Sequence, residues 1–263
     1  MTPIPPGSTI GILGTGQLGR MTALAAARLG YRCHVFGPER GGPASLVAAS
    51  VTVADYADQA ALIEFARGVD VVTYEFENIP YEPVAALAGV VAIHPHPEVL
   101  RITQHRLYEK DFLRGIEVAT TQYREVNDAA GLARAVRDLG RPAVLKTARL
   151  GYDGKGQVVI RAGTDLDRAW AGLRAGQGVL ESFVDFTCEI SVIVARGLDG
   201  QLATYVPVEN QHKDGILDQT IAPARIAPSV AMKAEAIAHH IATRLNLVGL
   251  LAVEMFVGRG GEV

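Results

Sequence analysis

The sequence predicts a two-part chain: an α/β unit on a parallel sheet, then an α+β unit carrying a phosphate-directed flap. Three observations predict it. Short apolar runs alternate with helix-length amphipathic stretches through residue 97. A proline-flanked histidine pair, His94-Pro95-His96-Pro97, then interrupts the alternation. Beyond it, hairpin-like strands enclose a glycine-rich, lysine-bearing loop at residues 151–157.

Bulk properties narrow the function classes. With 263 residues, 49% of them hydrophobic, the chain can bury two or three small cores or one large one. A net charge of −3 argues against a nucleic-acid surface, which needs a basic face. No window reaches the roughly 18 uninterrupted apolar residues of a membrane span. The opening Met-Thr-Pro-Ile-Pro-Pro-Gly has neither the basic segment nor the apolar run of a signal peptide. Cys33 and Cys188 match no disulfide scaffold or metal-ligand spacing. A cytoplasmic protein without nucleic-acid or membrane partners is expected.

Residues 9–13 read as the first strand, leading into Gly14-Thr15-Gly16-Gln17-Leu18-Gly19. Leu18, Met21, Ala25 and Leu29 then recur at helical spacing, and Gly30 stands where a helix C-cap belongs. Residues 31–36 form a second strand, completing a Rossmann-like βαβ opening. Its glycine turn and helix N-terminus suit an anion, and alone they suggest an NAD(P)-dependent oxidoreductase. A nicotinamide site, however, wants an acid at the end of the second strand. Here that strand runs into Gly37-Pro38-Glu39-Arg40.

The alternation continues with a strand at 51–55, a helix at 59–67 burying Leu62, Phe65 and Ala66, and a strand at 69–74. Ligands collect at the carboxyl ends of parallel strands. Glu75, directly after the last of these, is therefore expected to touch substrate, while Glu77 also suits a solvated loop. Residues 90–93 read as one more strand. His94 and His96 could suggest a metal site, but each precedes a proline and no third ligand is near. A rigid linker ending the first domain at 97 is the better reading.

Residues 98–114 read as one helix, with Arg101, Arg106, Lys110 and Arg114 beside its apolar positions. Asn127 is placed to cap a helix over Leu132, Val136 and Leu139, and Thr164 one through Trp170 and Leu173. Between them a strand ends in Lys146 and the loop carries Gly151, Gly154 and Gly156. Glycine amides can donate to phosphate oxygens and Lys155 supplies charge. Glycine alone would equally suit a polar hairpin turn. Tyr152, Asp153 and Lys146 favour a ligand loop. No Gly-Lys-Ser/Thr follows, so it is not a Walker A motif.

Strands are expected at 178–184, 189–196, 201–210 and 250–257, and a helix at 231–245 with Ile237, Ile241 and Leu245 inward. The polar stretch Glu209-Asn210-Gln211-His212-Lys213-Asp214-Gly215-Ile216 follows the third of these strands. Glu254 interrupts the last, and an acid is costly to bury there unless paired or metal-bound. Magnesium held against phosphates takes one or two carboxylates. Glu254 is thus the metal candidate, the alternative being an exposed strand face.

Gly-Tyr-Asp-Gly-Lys-Gly-Gln after a strand ending in lysine resembles the phosphate loop of the ATP-grasp enzymes. Within them it is most similar to the N5-carboxyaminoimidazole ribonucleotide synthetases. The turn at 14–19, the segment 210–216 and Ala252-Val253-Glu254-Met255-Phe256 carry the same resemblance. It implies a Rossmann-like preATP-grasp domain over 1–97 and an ATP-grasp domain over 98–263. A mobile lid subdomain would span about residues 117–184, and a C-terminal part bearing a second metal carboxylate would lie beyond residue 263. The implied reaction carboxylates 5-aminoimidazole ribonucleotide with bicarbonate and ATP, through carboxyphosphate, in purine biosynthesis.

The resemblance also assigns roles. Gln17, Leu18, Glu75, Tyr152 and Asp153 would bind the ribonucleotide. ATP would be held by Arg101, Lys146, residues 151–157 (Gly151, Tyr152, Asp153, Gly154, Lys155, Gly156, Gln157), the segment Glu181-Ser182-Phe183-Val184, Glu189 on the ribose, and His212. Lys155 and Asp153 would be catalytic, Glu254 would hold Mg²⁺, and the family is typically dimeric. Rival readings are another ATP-grasp ligase, of the formate-dependent glycinamide ribonucleotide formyltransferase or biotin carboxylase type, and the oxidoreductase above.

Overall fold

The computed structural model describes residues 3–151, 156–213 and 215–263. The chain divides into two compact units. The first runs to Arg101 and includes Gly197–Gln201 and Leu247–Gly249; the second holds Ile102–Arg196, Leu202–Asn246 and Leu250–Val263.

The first unit begins β1 (Thr9–Leu13), α1 (Gln17–Arg28), β2 (Arg32–Gly37) and β3 (Ser50–Val53). It continues with α2 (Gln59–Arg67), β4 (Val71–Tyr74), α3 (Tyr81–Ala86) and the start of α4 (Pro97–Thr103). The four strands form one parallel sheet in the order β3-β2-β1-β4. Leu13, Phe36, Leu62, Phe65, Val72 and Leu87 form one buried cluster in this unit, and Ile12, Ala23, Ala26 and Val35 belong to another. Gly30 has φ +84, the left-handed conformation expected of it after a helix.

Two expectations give way here. The stripe Leu18, Met21 and Leu29 is exposed, and α1 buries Gly19, Ala23 and Ala26 instead. Small residues win because the backbone of α1 packs tightly: a Cβ on Gly19 would lie 3.3 Å from the Ala44 Cβ. The strand expected at 90–93 is only a bridge between Val72 and Ile93, because the Val90 and Val91 N–H groups bond back to the Leu87 carbonyl.

The second unit comprises α5 (Arg106–Gly115), β5 (Tyr123–Val126), α6 (Ala129–Leu139), β6 (Ala143–Thr147), β7 (Gln157–Ile160), α7 (Leu166–Leu173) and β8 (Gly178–Ser182). After these come β9 (Phe186–Arg196), β10 (Leu202–Thr204), β11 (Val208–Lys213), β12 (Ile216–Ile221), α8 (Pro228–Arg244) and β13 (Gly249–Gly258). One antiparallel sheet has the order β5-β8-β6-β7, with Leu132, Val136, Leu145, Ile160 and Leu180 in its core under α6 and α7. The other has the order β10-β9-β11-β12, with β13 on β9.

The single helix expected over 98–114 is two helices, α4 and α5. His105 breaks it with extended backbone, its ring nitrogen Nε2 3.0 Å from Gln177 Oε1, while the Arg106 N–H goes to the Ala148 carbonyl at 2.9 Å. The caps also shift by one residue, to Asp128 and Asp165, whose carboxylates accept from Gly131 and Arg168 N–H. Thr164 instead accepts from Arg161 N–H. The run expected at 201–210 is split into β10 and β11, and α8 buries Ala234, Ala238, Ile241 and Ala242 more deeply than Ile237 or Leu245.

Candidate active site

In the first unit, β1 and β4 deliver Gly14 and Glu75 to one sheet edge. The Gly14 N–H donates to the Phe36 carbonyl at 2.9 Å and Glu75 N–H to the Leu13 carbonyl at 3.1 Å. Glu75 then turns its carboxylate onto the start of α1, where Oε1 accepts from Gly16 N–H at 2.9 Å. Gly14 has φ +124, and a Cβ there would lie 2.4 Å from Glu75 Oε1, so glycine is required twice over. Gln17 and Leu18 stand exposed on the first turn of α1, directly after Gly16 in the chain. Tyr56 is pushed up to about 12 by burial and, secondarily, by Glu75 and Glu39.

The second unit contains a cleft of about 530 Å³. Lys110 from α5, Lys146 from β6 and Glu181 from β8 meet on its wall. Lys110 Nζ lies 3.0 Å from Glu181 Oε1 and Lys146 Nζ 2.7 Å from Oε2. Strand register explains the second contact: Glu181 lies opposite Val144, and Lys146 is the next residue on the same face. Burial alone would raise the Glu181 carboxyl, but the two ammonium groups outweigh it and hold it below the ordinary value. Glu109, also on the wall, is raised by burial against the pull of Arg106 and Lys110.

Glu189 and Asn210 pair across β9 and β11 and both line the cleft. The β11–β12 register shifts between Gln211 and His212, and the His212 Nδ1 sits 2.9 Å from Glu189 Oε2. Val184, Val253, Glu254, Met255 and Phe256 complete much of the wall. Glu254 is exposed toward solvent rather than buried, so its place on the wall, and not the cost of burial, is what recommends it as a metal ligand. Among the described residues no cluster of three or more potential ligands occurs. One cleft carboxylate still suits a cation whose other ligands are phosphate oxygens and water.

Gly151, Gly156 and Gln157 frame the loop after β6. The Thr147 N–H donates to the Gly156 carbonyl at 2.8 Å, and Gly156 has φ +70 with the Thr147 side chain 2.9 Å from any added Cβ. Tyr152, Asp153, Gly154, Lys155 and Asp214 lie outside the described residues. Ser182 commits its N–H to the Gln122 carbonyl and its own carbonyl to Thr121 Oγ1, and Phe183 N–H reaches the Pro142 carbonyl at 3.3 Å.

Arg101 belongs to the first unit, on α4, with Nε 2.9 Å from both carboxylate oxygens of Glu98. The cleft's own wall carries Arg106, whose sequence signal was a basic residue opening a helix one turn before Lys110. Lys110 itself, read as part of a solvated basic face, is buried.

Comparisons with known proteins cover both units. Residues 7–104 match the ribonucleotide synthetase preATP-grasp domain and residues 111–263 the ATP-grasp domain. The chain is 47% identical to the bifunctional purine synthesis protein purC/E of Dictyostelium discoideum, over 98% of this chain and 26% of that protein. It is 44% identical to the N5-carboxyaminoimidazole ribonucleotide synthase of Brucella melitensis, over 100% of this chain and 73% of that one. A crystal structure of N5-carboxyaminoimidazole synthase from Aspergillus clavatus, in complex with ADP and 5-aminoimidazole ribonucleotide, superposes with a TM-score of 0.90 at 27% identity, over 97% of this chain and 67% of that one.

Proposed function

This chain belongs to the N5-carboxyaminoimidazole ribonucleotide synthase family, and from that membership we propose that it takes part in the ATP-dependent carboxylation of 5-aminoimidazole ribonucleotide by bicarbonate. The observation that carries the proposal is the union in one chain of a ribonucleotide synthetase preATP-grasp domain with an ATP-grasp domain. A bicarbonate oxygen attacks the γ-phosphorus of ATP, the bond to ADP breaks, and carboxyphosphate forms. The ribonucleotide amine then attacks the carboxyl carbon, loses a proton, and phosphate departs with the bridging oxygen.

The residues contribute positioning and charge rather than covalent chemistry. Lys146, and Lys155 on the loop, neutralise phosphate oxygens; Arg106 is the wall's further cation. Glu189 accepts from the ribose hydroxyls while its other contact orients His212. The Phe183 carbonyl and Val184 N–H read the adenine edge. Glu254 would hold Mg²⁺, which supplies charge neutralisation at the transferred phosphoryl group. Lys155 and Asp153 act at the reacting end, and residues of about 117–184 move as a lid that keeps water from carboxyphosphate. Gln17, Leu18 and Glu75, with Tyr152 and Asp153, seat the ribonucleotide. The active form is proposed to be a cytoplasmic homodimer with a first domain ending at residue 97.

Glu75 weighs against the oxidoreductase alternative, since a pyrophosphate at the start of α1 would meet a carboxylate already there. The reaction is tested with ¹⁸O-bicarbonate. Carboxyphosphate chemistry delivers one bicarbonate oxygen to the released phosphate, and unlabelled phosphate would refute that route.

A further inference from the structure

Both oxygens of Glu181 are taken by ammonium groups, one from a helix and one from a neighbouring strand. The two lysines are not equivalent. The Lys146 side chain is 20% exposed and that of Lys110 only 10%. Lys110 is further fixed by a 3.3 Å hydrogen bond to Thr120 Oγ1 and by its place 5.6 Å over the Tyr123 ring. One cation is therefore anchored and the other opens onto the cleft.

We propose that Lys110 is a positioning residue for Lys146: by holding one oxygen of Glu181, it lets the Lys146 ammonium turn from the other oxygen to a nucleotide phosphate. This deepens the reading of the cleft as the ATP site and rests on it. A lone Lys146–Glu181 pair would be neutral, and drawing Lys146 away would strand a buried carboxylate, which is costly. With Lys110 in place the trio keeps one net positive charge, and Glu181 keeps a partner throughout. Among the described residues, the other titratable groups facing Glu181 are Glu109 on α5 and Tyr123 on β5, the latter opposite it in the sheet. Burial, and then a hydrogen bond to Asp111, push Tyr123 up to about 12, so it stays neutral. Burial raises the Glu109 carboxyl and so favours its neutral form, and in neither form does it offer Glu181 a cation.

The test is calorimetric titration of the whole protein with ADP. K146M must weaken binding; if it does not, the ATP-site reading itself fails and the inference with it. K110M is expected to weaken ADP roughly tenfold or more, the scale of one charge-assisted hydrogen bond. K110R is expected to recover most of the loss. The double variant K110M/E181Q is compared with E181Q alone and is expected to bind ADP as well as that single variant does, because the anion that captures Lys146 is gone from both. In K110M the loss should shrink as pH falls and Glu181, with one cation fewer, takes up a proton. Normal ADP affinity in K110M beside an impaired K146M overturns the inference. So does a K110M defect that is independent of pH and not relieved by E181Q, which would mark a purely structural role.

Discussion

Glu75 Oε1 accepts a hydrogen bond from the Gly16 N–H at 2.9 Å, so the first turn of α1 faces a carboxylate from its own sheet. A helix N-terminus attracts anions, and here the attraction is satisfied within the chain. Remaining lone pairs on Glu75 favour hydroxyl or amine donors over phosphate. Titration with NADH should therefore produce no saturable change in cofactor fluorescence. Saturable binding would revive the oxidoreductase reading.

Gly14→Ala should be poorly tolerated. The substitution forces a side chain into φ +124, with backbone strain of about 1–3 kcal/mol, and drives its Cβ against Glu75. Thermal unfolding should shift down by several degrees, and affinity for the ribonucleotide should fall with it. A wild-type melting curve would contradict the geometry.

Glu209 on β11 and Arg225, beyond β12, make a two-point ion pair, and the carboxyl is held at about 2 chiefly by the guanidinium hydrogen bond, against the opposing effect of desolvation. A carboxyl depressed in the folded state binds its proton less readily there than in the unfolded chain. Its contribution is complete above the ordinary value of 4.5 and disappears as pH falls toward about 2. Urea midpoints measured across that window should fall more steeply for the wild type than for Glu209→Gln.

Much of this was legible in the chain because backbone-level signals are local. The glycine turn before α1, the apolar β4 running into Glu75, and the lysine near the end of β6 all declare themselves within a few residues. What was not legible depended on distant partners. Lys110 looks like any helix-surface base until β6 and β8 bring Lys146 and Glu181 to it. The break between α4 and α5 needs Ala148 and Gln177, more than forty residues downstream, to draw off the Arg106 N–H and His105. Arg101 and Arg106 are indistinguishable by type, and only the fold gives one to Glu98 and the other to the cleft.

Glu189 is expected to serve ATP through the ribose and through His212, whose Nδ1 it holds at 2.9 Å. Glu189→Gln should raise the KM for ATP by roughly tenfold, in line with loss of a charged hydrogen-bond acceptor, with kcat less affected. A fall in kcat at unchanged KM would instead place Glu189 in the chemical step.

Glu254 should make nucleotide binding magnesium-dependent. In the wild type, removing Mg²⁺ with a chelator should weaken ATP binding, and Glu254→Gln should abolish that sensitivity. Equal magnesium dependence in both proteins would assign the metal to other residues.

The central claim is tested most directly by phosphate release from ATP with bicarbonate, with and without 5-aminoimidazole ribonucleotide, on a polypeptide of the length of its relatives. Release that rises with the ribonucleotide and is lost in Lys146→Met is the predicted result. Nucleotide binding with release indifferent to the ribonucleotide would contradict the substrate assignment, leaving an ATP-grasp ligase for a different acceptor.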